Sequence, residues 1–256
     1  MDRMKLADAH VHLDLLSRVD QALEEARSTG VEMVVGVSMG LSSICVTLEL
    51  AERYPGFVLP AVGLHPWQIE REDSEKALEK VANCLDRAVA IGEIGLDYGI
   101  RTRKAVQKEV FRRQLGMAAE RGLPVVVHCR HSHARTLELL KEYRIKRAVF
   151  HWYSGPRDVL EALLAEGYLI SVTPAVETSP KHREAVQATP LDRLLLETDS
   201  PVAYQGREAA PADVVRVCRE VARLKDVDPE EAALRTTQAL RAFLLPAQEE
   251  HGLEKP

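Results

Sequence analysis

The sequence predicts an α/β protein in which eight parallel strands close into a TIM (β/α)8 barrel. Three observations lead to this fold class. Short, largely apolar segments recur along the chain, and a segment with helical spacing separates each one from the next. Strands that are apolar throughout are buried on both faces, as in parallel sheets covered by helices. The 256 residues match the size of one such barrel, roughly 250 residues, so we expect a single domain over residues 1–256.

The predicted elements alternate along the whole chain. The eight candidate strands are Lys5–Ala9, Glu32–Val37, Phe57–Leu64, Ala88–Leu96, Pro124–His128, Ala148–His151, Tyr168–Val172 and Leu194–Thr198. The segments with helical spacing between them are Val19–Ser28, Ile44–Arg53, Ser74–Leu85, Lys104–Arg121, Ala134–Tyr143, Arg157–Ala165 and Pro180–Ala188. Two further helical segments, Ala212–Leu224 and Pro229–Leu244, follow the eighth strand and would complete the barrel and its rim. We expect residues 249–256 to form a loose tail.

Composition and charge restrict the function classes. The formal net charge of −5 gives no overall basic surface for nucleic acid, so a polyanionic substrate has to be attracted locally. The four cysteines show no CxxC spacing, which argues against a zinc knuckle and a disulfide framework. No apolar run approaches the roughly 18 residues that span a membrane, and the first motif leaves no room for a signal peptide. We therefore expect a cytoplasmic enzyme with no membrane association and no evident protein partner.

Polar side chains stand at the carboxyl ends of six predicted strands. A buried apolar strand should not end in histidine, glutamate or aspartate without compensation. In a parallel barrel all these ends meet at one mouth, where barrel enzymes place their active sites. Two of the histidines are two residues apart and point to the same side of an extended chain. The residues that we expect to converge are His10, His12, His65, Glu93, His128, His151 and Asp199.

The chemistry of this set predicts a metal site at the carboxyl ends of the strands. Imidazoles and carboxylates gathered in one cavity are hard to satisfy without a cation, and both bind Zn²⁺, Mn²⁺ and related ions. The predicted ligands are His10, His12, Glu93, His128, His151 and Asp199. Six ligands exceed the three of a mononuclear catalytic zinc site, so two divalent ions (Zn, Mn or Mg) about 3.5–4 Å apart fit better. Glu93 is the natural bridge, and the net positive charge of such a site attracts an anionic substrate.

Six short motifs carry a family resemblance. They are Asp8-Ala9-His10-Val11-His12, Gly63-Leu64-His65-Pro66, Gly92-Glu93-Ile94-Gly95-Leu96-Asp97-Tyr98, His128-Cys129-Arg130, His151-Trp152-Tyr153-Ser154-Gly155 and Leu196-Glu197-Thr198-Asp199-Ser200-Pro201. In this order and at barrel spacing they resemble the TatD-related metal-dependent deoxyribonucleases, within the amidohydrolase superfamily. The match spans residues 7 to about 243. The resemblance implies a TIM barrel, two divalent metals and hydrolysis of phosphodiester bonds in DNA, often as a 3′→5′ exonuclease.

The resemblance also implies roles for the predicted ligands. One metal would be held by His10, His12, Glu93 and Asp199, and the other by Glu93, His128 and His151. Glu93 and Asp199 would be the catalytic residues, with Asp199 accepting a proton from the attacking water. The expected mechanism is in-line attack of a metal-bound hydroxide on phosphorus. The expected partner is DNA, as a single strand or at its 3′ ends.

Residues beside the motifs are candidates for substrate contact or for positioning the ligands. His65 and Arg130 would contact phosphate, but His65 could instead stabilise the turn at Pro66, and Arg130 could cap a helix or pair with Glu197. Either base stacking or packing at the rim is open for Trp67, Trp152 and Tyr153. Solvent-exposed or helix-capping roles are expected for His131 and His133. Candidates to orient a ligating histidine are Glu197, Asp97 and Asp8.

Two other function classes compete with the nuclease. An amidohydrolase-like C–N or ester hydrolase acting on a small molecule, such as a deaminase or lactonase, uses nearly the same ligand layout. Many of these enzymes have a lysine at the end of the fourth strand to form a carbamate bridge, where this chain has Glu93. A scaffold or metal-binding protein that retains the barrel would not need the complete ligand set. The sequence therefore favours the nuclease.

Overall fold

The computed structural model describes residues 4–244. Its eight parallel strands pair in chain order, and they are β1 (Leu6–Val11), β2 (Val31–Val37), β3 (Val58–Val62), β4 (Ala90–Asp97), β5 (Val125–Arg130), β6 (Ala148–Phe150), β7 (Leu169–Val172) and β8 (Leu194–Leu196). The helices are α1 (Val19–Thr29), α2 (Leu41–Arg53), α3 (Ser74–Cys84), α4 (Lys104–Arg121), α5 (His133–Glu142), α6 (Arg157–Ala165), α7 (Pro180–Ala188), α8 (Val214–Lys225) and α9 (Pro229–Leu244). This order confirms the predicted (β/α)8 barrel.

The predicted boundaries differ from the structure mainly around the site. Strand β1 continues two residues beyond the predicted end and includes His10. The predicted helix Ala212–Leu224 is divided into a 3-10 turn, Pro211–Asp213, and helix α8. A short antiparallel pair, β9 (Ala203–Tyr204) and β10 (Arg207–Glu208), lies in the loop before that turn. The predicted loose tail lies outside the described residues.

The apolar core has two layers, one inside the barrel and one between strands and helices. Small and branched side chains from alternating strand positions fill the interior, among them Ala7, Val35, Ala61 and Val126. Helix α9 adds Leu240, Phe243 and Leu244 to this interior cluster. Because Arg147, which precedes β6, donates to the Phe243 carbonyl, α9 lies at the amino ends of the strands. The polar residues lie at the opposite end of the barrel, at the carboxyl ends of the strands. None of the helices within residues 4–244 has the length and apolar character needed to cross a bilayer.

The seam between β8 and β1 closes the ring of strands. Here the Asp199 N–H donates to the His10 carbonyl at 3.0 Å, and the His12 N–H donates to the Ser200 carbonyl at 2.9 Å. The buried Asp8 carboxylate accepts hydrogen bonds from the Thr198 backbone and hydroxyl at 2.9 and 2.5 Å. Residues about 190 positions apart thereby form one continuous wall, and three of the predicted metal ligands lie on it.

Register irregularities aim two ligands into the barrel. In β1, Ala9 packs inside the barrel and Val11 packs against the helices, so the alternation shifts at His10, where the pairing with β2 is irregular. In β4 the pairing with β5 is irregular between Ile91 and Ile94, which both face the helices. If the side chains alternated regularly along each strand, those of His10 and Glu93 would point out of the barrel. Such irregularities re-aim side chains near active sites, and here they bring His10 and Glu93 into the mouth.

Close approach of β4 to β5 requires a glycine beside the site. Gly95 has a φ of +151°, and a β-carbon there would lie 2.0 Å from the His128 carbonyl oxygen. We expect Gly95→Ala to lower the free energy of unfolding by about 2–4 kcal/mol, because backbone must move and the φ is unfavourable. The control is Gly116→Ala within α4, where the new methyl would lie 3.9 Å from its nearest neighbour and should raise the free energy of unfolding by about 0.5–1 kcal/mol. Urea denaturation measures the free energy of unfolding of both variants. Equal changes in the two would mean that Gly95 is not required for the close approach of the strands.

Candidate metal centre

The structure brings all six predicted ligands together at the carboxyl-terminal mouth. They come from β1 and the residue after it, from β4 and β5, from the first residue after β6 and from the third residue after β8. Five of the six side chains are buried, and His128 is nearly so. Five of the six line a cavity of about 470 Å³, and His10 lies beneath it at 0% exposure. The geometry agrees with the convergence expected from strand polarity.

Glu93 lies between two groups of histidines. Its Oε2 atom is 3.3 Å from His10 Nε2 and 3.6 Å from His12 Nε2. Its Oε1 atom is 2.8 Å from His128 Nδ1 and 3.8 Å from His151 Nε2. Each carboxylate oxygen therefore faces a different pair of the predicted ligand histidines, as a carboxylate that bridges two cations must.

Asp199 faces the same two groups from the opposite side. Its Oδ1 atom is 3.3 Å from His12 Nε2, and its Oδ2 atom is 3.8 Å from His151 Nε2. The residue has a φ of +51°, a conformation that is uncommon outside glycine and occurs often at functional sites. The backbone hydrogen bond to His10 at the seam holds it there.

The donor set fits divalent cations. Among the described residues, both ring nitrogens of His10, Nδ1 of His12 and Oδ1 of Asp199 are buried without a hydrogen-bond partner. A buried polar atom left unpaired costs about 1–3 kcal/mol, and a cation between the rings and the carboxylates would give partners to two of these atoms, His10 Nε2 and Asp199 Oδ1, which lie 3.6 Å apart. Three sets of side chains place ligand atoms within 4.8 Å of one another: His10, His12 and Glu93; His10, His151 and Asp199; and His65, Glu93 and His128.

The division of ligands between two ions is less clear in the structure than the resemblance implies. His151 Nε2 is 3.8 Å from Glu93 Oε1 and 3.8 Å from Asp199 Oδ2. Its ring also stacks on His10, with ring centroids 3.9 Å apart. His151 is therefore placed to serve either half of the centre.

The surroundings keep both carboxylates predicted to bind metal ionised. Burial alone would raise the pKa of Glu93, but His65, His10 and other histidines hold that pKa well below its usual value. Burial also opposes ionisation of Asp199, and its histidine neighbours lower its pKa below the ordinary value. Both side chains are negatively charged at neutral pH, which metal ligands require.

Glu197 orients one ligating histidine. Its Oε1 atom lies 2.8 Å from His151 Nδ1 and accepts the Trp152 backbone N–H at 3.0 Å. Burial would lower the pKa of His151, but Glu197, Asp199 and Glu93 raise it to about 10. With its Nδ1–H donated to Glu197, the ring presents Nε2 to the cavity, and a metal ion would take the place of the Nε2 proton.

We expect Glu197→Gln to weaken metal binding about 10–100-fold. The amide keeps the shape of the side chain and can still accept a hydrogen bond, but it loses the charge that makes the His151 ring more basic. Isothermal titration with Mn²⁺ or Zn²⁺ measures the effect. Glu138→Gln, at an exposed position of α5, is the control. Equal affinities for the wild type and Glu197→Gln would mean that Glu197 only fills space.

The other two carboxylates proposed for orienting a ligand have different contacts. Asp8 binds the Thr198 backbone and hydroxyl, so it holds the seam and not a ring nitrogen. Asp97 lies 3.3 Å from His128 Nε2 and accepts the Trp67 indole N–H at 2.7 Å. Asp97 therefore orients His128, which directs its Nδ1 atom toward Glu93.

His65 faces the centre as a hydrogen-bond donor. The Trp67 backbone N–H donates to His65 Nδ1 at 3.1 Å, and burial lowers the pKa of His65 to about 4. A neutral imidazole that accepts at Nδ1 carries its proton on Nε2, and this atom lies 3.5 Å from Glu93 Oε1. The hydrogen bond to Trp67 shows the role of His65 in the turn, whereas its contact with phosphate stays a prediction.

The remaining candidates divide between the cavity and the core. Arg130 is exposed at the cavity edge and does not pair with Glu197, so that alternative is wrong. The indole rings of Trp67 and Trp152 line the cavity. Tyr153 is 1% exposed and its hydroxyl donates to the Pro156 carbonyl. Of the two alternatives for Tyr153, base stacking is therefore wrong, because the side chain faces the core.

The two histidines at the start of α5 stay away from the metal cavity. His131 is exposed, with a φ of +55°, just before the helix begins. His133 is the first residue of α5, and its ring packs edge-on against Tyr153 with centroids 5.2 Å apart. Neither residue lines the cavity around Glu93.

Two buried glutamines that hold the strand ends were missed in the sequence. Gln107 bonds to both the N–H and the carbonyl of Asp97 at 2.8 Å. Gln114 bonds in the same way to Leu64, which precedes His65, at 2.7 and 3.1 Å. The signal was present: two glutamines seven residues apart lie on one face of α4, among apolar side chains.

A parallel barrel with histidines and carboxylates gathered at its carboxyl mouth defines the class of metal-dependent hydrolase barrels. Within that class, the family model for TatD related DNase matches residues 7–244, and the chain belongs to this family. Fold and family thereby confirm the resemblance carried by the six motifs.

Similar proteins cover nearly the whole chain. Deoxyribonuclease TATDN3 of Homo sapiens is 33% identical over 258 residues, 93% of this chain and 94% of the human protein. The 3'-5' ssDNA/RNA exonuclease TatD of Erwinia tasmaniensis is 33% identical over 243 residues, 88% of this chain and 93% of that protein. The crystal structure of YJJV, a TatD homologue from Escherichia coli, has a TM-score of 0.88 at 28% identity and covers 95% of this chain and 99% of its own. These relatives do not favour the alternative of a C–N or small-molecule ester hydrolase.

Proposed function

We propose that the protein hydrolyses phosphodiester bonds of DNA with two divalent metal ions, removing nucleotides from the 3′ ends of single strands. The observation that carries the proposal is the position of Glu93, whose two oxygens face different pairs of histidines. His10, His12, Glu93 and Asp199 would hold one ion. Glu93, His128 and His151 would hold the other. Two ions that share a carboxylate are the arrangement used for in-line displacement at phosphorus.

The ions, when bound, supply Lewis acidity that activates water and offsets the charge of the phosphate. Asp199 takes the proton of the attacking water, since its lowered pKa keeps it ionised and its side chain lines the metal cavity. The bond from the water oxygen to phosphorus forms, and the bond from phosphorus to the 3′ oxygen of the preceding nucleotide breaks. That oxygen takes a proton from solvent, and a nucleoside 5′-monophosphate leaves.

Three further side chains position the substrate in this proposal. His65 directs its Nε2–H into the cavity, where it donates to a non-bridging phosphate oxygen. Arg130 at the cavity edge pairs with the phosphate charge. Trp152 is half-buried, 5.3 Å from the Tyr204 ring, and offers a face to the terminal base.

The preference for a single strand rests on the shape of the cavity and on the named activity of the Erwinia relative. The ligands lie within a cavity of about 470 Å³, a volume typical of sites for one small molecule. A terminal nucleotide freed from base pairing can enter such a space, whereas the centre of a duplex cannot.

An assay of the purified protein with Mn²⁺, Mg²⁺ or Zn²⁺ tests the function. The substrates are 5′-labelled single-stranded DNA, the same strand in a duplex, RNA, and a panel of small esters and amides. We expect a ladder of products shortened from the 3′ end of the single strand and no hydrolysis of the amides. A 3′-phosphorothioate linkage should delay the first cut. Hydrolysis confined to small esters or amides would overturn the proposal.

A further inference from the structure

A second, larger cavity opens beside the metal cavity. It has a volume of about 1210 Å³ and shares the lining residues Cys129, Arg130 and Ser154 with the metal cavity, so the two adjoin. Its walls are the turns that follow β5 and β6 and the first turns of α5, α6 and α7. None of the residues assigned to the two metals lines it. We call it the basic groove, defined by Arg130, His131, His133, Arg135, Arg157 and Lys181.

The charge of the basic groove is opposite to that of the whole protein. Four of its lining residues are permanent cations and two are histidines, against a single acid, Glu184. The chain as a whole carries a net charge of −5. Lining a concave surface with one sign of charge concentrates ions of the opposite sign. The groove is thus a local attractor for a polyanion.

Two of these cations have no internal counter-charge. Arg135 and Arg157 pair with Glu138 and Glu161 along their own helices, at 2.7 and 2.8 Å. For Arg130 and Lys181, no carboxylate within residues 4–244 lies at ion-pair distance, although both are exposed in the groove. Their charge is therefore directed to solvent or to a ligand.

Helix starts add to the positive potential. Helices α5 and α6, of ten and nine residues, begin at the groove, and neither Ser132 nor Pro156 caps them with a side chain. The Ser132 hydroxyl donates instead to the Leu96 carbonyl at 2.6 Å. The first backbone N–H groups of both helices are consequently available to an anion.

We infer that the basic groove holds the backbone phosphates of the strand that remains after each cut. The inference rests on the proposed function, because it needs a polynucleotide in the metal cavity. That cavity accommodates the terminal nucleotide, and the strand leaves past Arg130, the one cation among the residues common to both cavities. Arg157 and Lys181 then contact phosphates away from the reacting bond. A groove of cations that follows a backbone gives affinity without reading the bases.

The test is the double variant Arg157→Gln/Lys181→Gln, since neither residue touches the metal ligands. On a single strand of about 20 nucleotides, kcat/KM should fall about tenfold at physiological salt. The slope of log kcat/KM against log salt should flatten by about 1.4, because each lost phosphate contact contributes about 0.7. Hydrolysis of the p-nitrophenyl ester of thymidine 5′-monophosphate, which does not reach the groove, should be unchanged.

The matched control is Arg121→Gln/Lys146→Gln. It removes one paired arginine and one exposed lysine just ahead of β5 and β6, at the opposite end of the barrel. If the groove variant cleaves the strand as the wild type does, or if the control loses as much, the inference is wrong and the proposed function stands. A wild type that cleaves no nucleic acid overturns the proposed function and, with it, the inference.

Discussion

Replacing Glu93 by alanine is expected to lower kcat on single-stranded DNA by at least about 10³-fold. The carboxylate faces all four predicted ligand histidines with its two oxygens, so its loss would remove a proposed ligand from both halves of the centre. Catalytic metal ions contribute several kcal/mol of transition-state stabilisation, and about 4 kcal/mol corresponds to a factor of about 10³. Metal content per chain, measured by plasma mass spectrometry after gel filtration, should fall in parallel.

Glu93→Gln separates loss of charge from loss of volume. The amide fills the same space but offers one oxygen where the carboxylate offers two, so it cannot bridge. We expect its activity to be as low as that of Glu93→Ala, with a circular dichroism spectrum like that of the wild type. A glutamine variant with more than a tenth of the wild-type activity and metal content would show that Glu93 does not join two ions.

Removal of the metal ions is expected to lower the melting temperature by roughly 10 °C. An ion at about 1,000 times its Kd stabilises the native state by about 4 kcal/mol. For chains of about 150–250 residues, each kcal/mol shifts the melting temperature by about 2–4 °C. Ions bound at the centre would also give partners to His10 Nε2 and Asp199 Oδ1, which are buried without a hydrogen bond. Scanning calorimetry before and after dialysis against a chelator, then after Mn²⁺ is restored, measures the shift.

The variant His10→Ala/His12→Ala tests whether the ion that raises the melting temperature binds at this centre. It removes two ligands that lie next to the closing seam, so Mn²⁺ should raise its melting temperature by much less than it raises that of the wild type. An equal rise in both proteins would place the stabilising ion elsewhere, and an unchanged wild type would argue against a resident metal.

The sequence was sufficient for the barrel and for the identity of the clustered residues. Apolar strands alternate with amphipathic helices. A histidine or carboxylate at the end of such a strand does not contribute to the apolar core, so it indicates a polar site. Strand polarity then places His128, His151 and Asp199 at one mouth without any coordinates. The roles given to these residues remain predictions.

Other features depend on geometry that one sequence does not reveal. The shift in side-chain alternation at His10 and at Glu93 cannot be read from the residue types, because the residues on either side of each shift are also common in regular strands. The direction in which Tyr153 points follows from its hydrogen bond to Pro156, not from its place in a motif. Arg157 and Lys181 looked like ordinary exposed helix residues, since cations from two helices form a groove only once the helices are side by side.

The seam between β8 and β1 has a consequence for synthesis of the protein. A chain leaving the ribosome has made His10, His12, Glu93, His128 and His151 long before it reaches Asp199. Until β8 follows, β1 lacks one neighbour, and the His10 and His12 backbones lack their partners at Asp199 and Ser200. Contacts between residues this far apart form late. Nascent and prematurely ended chains therefore lack Asp199, the proposed proton acceptor, and we expect nuclease activity only from chains that have closed the barrel.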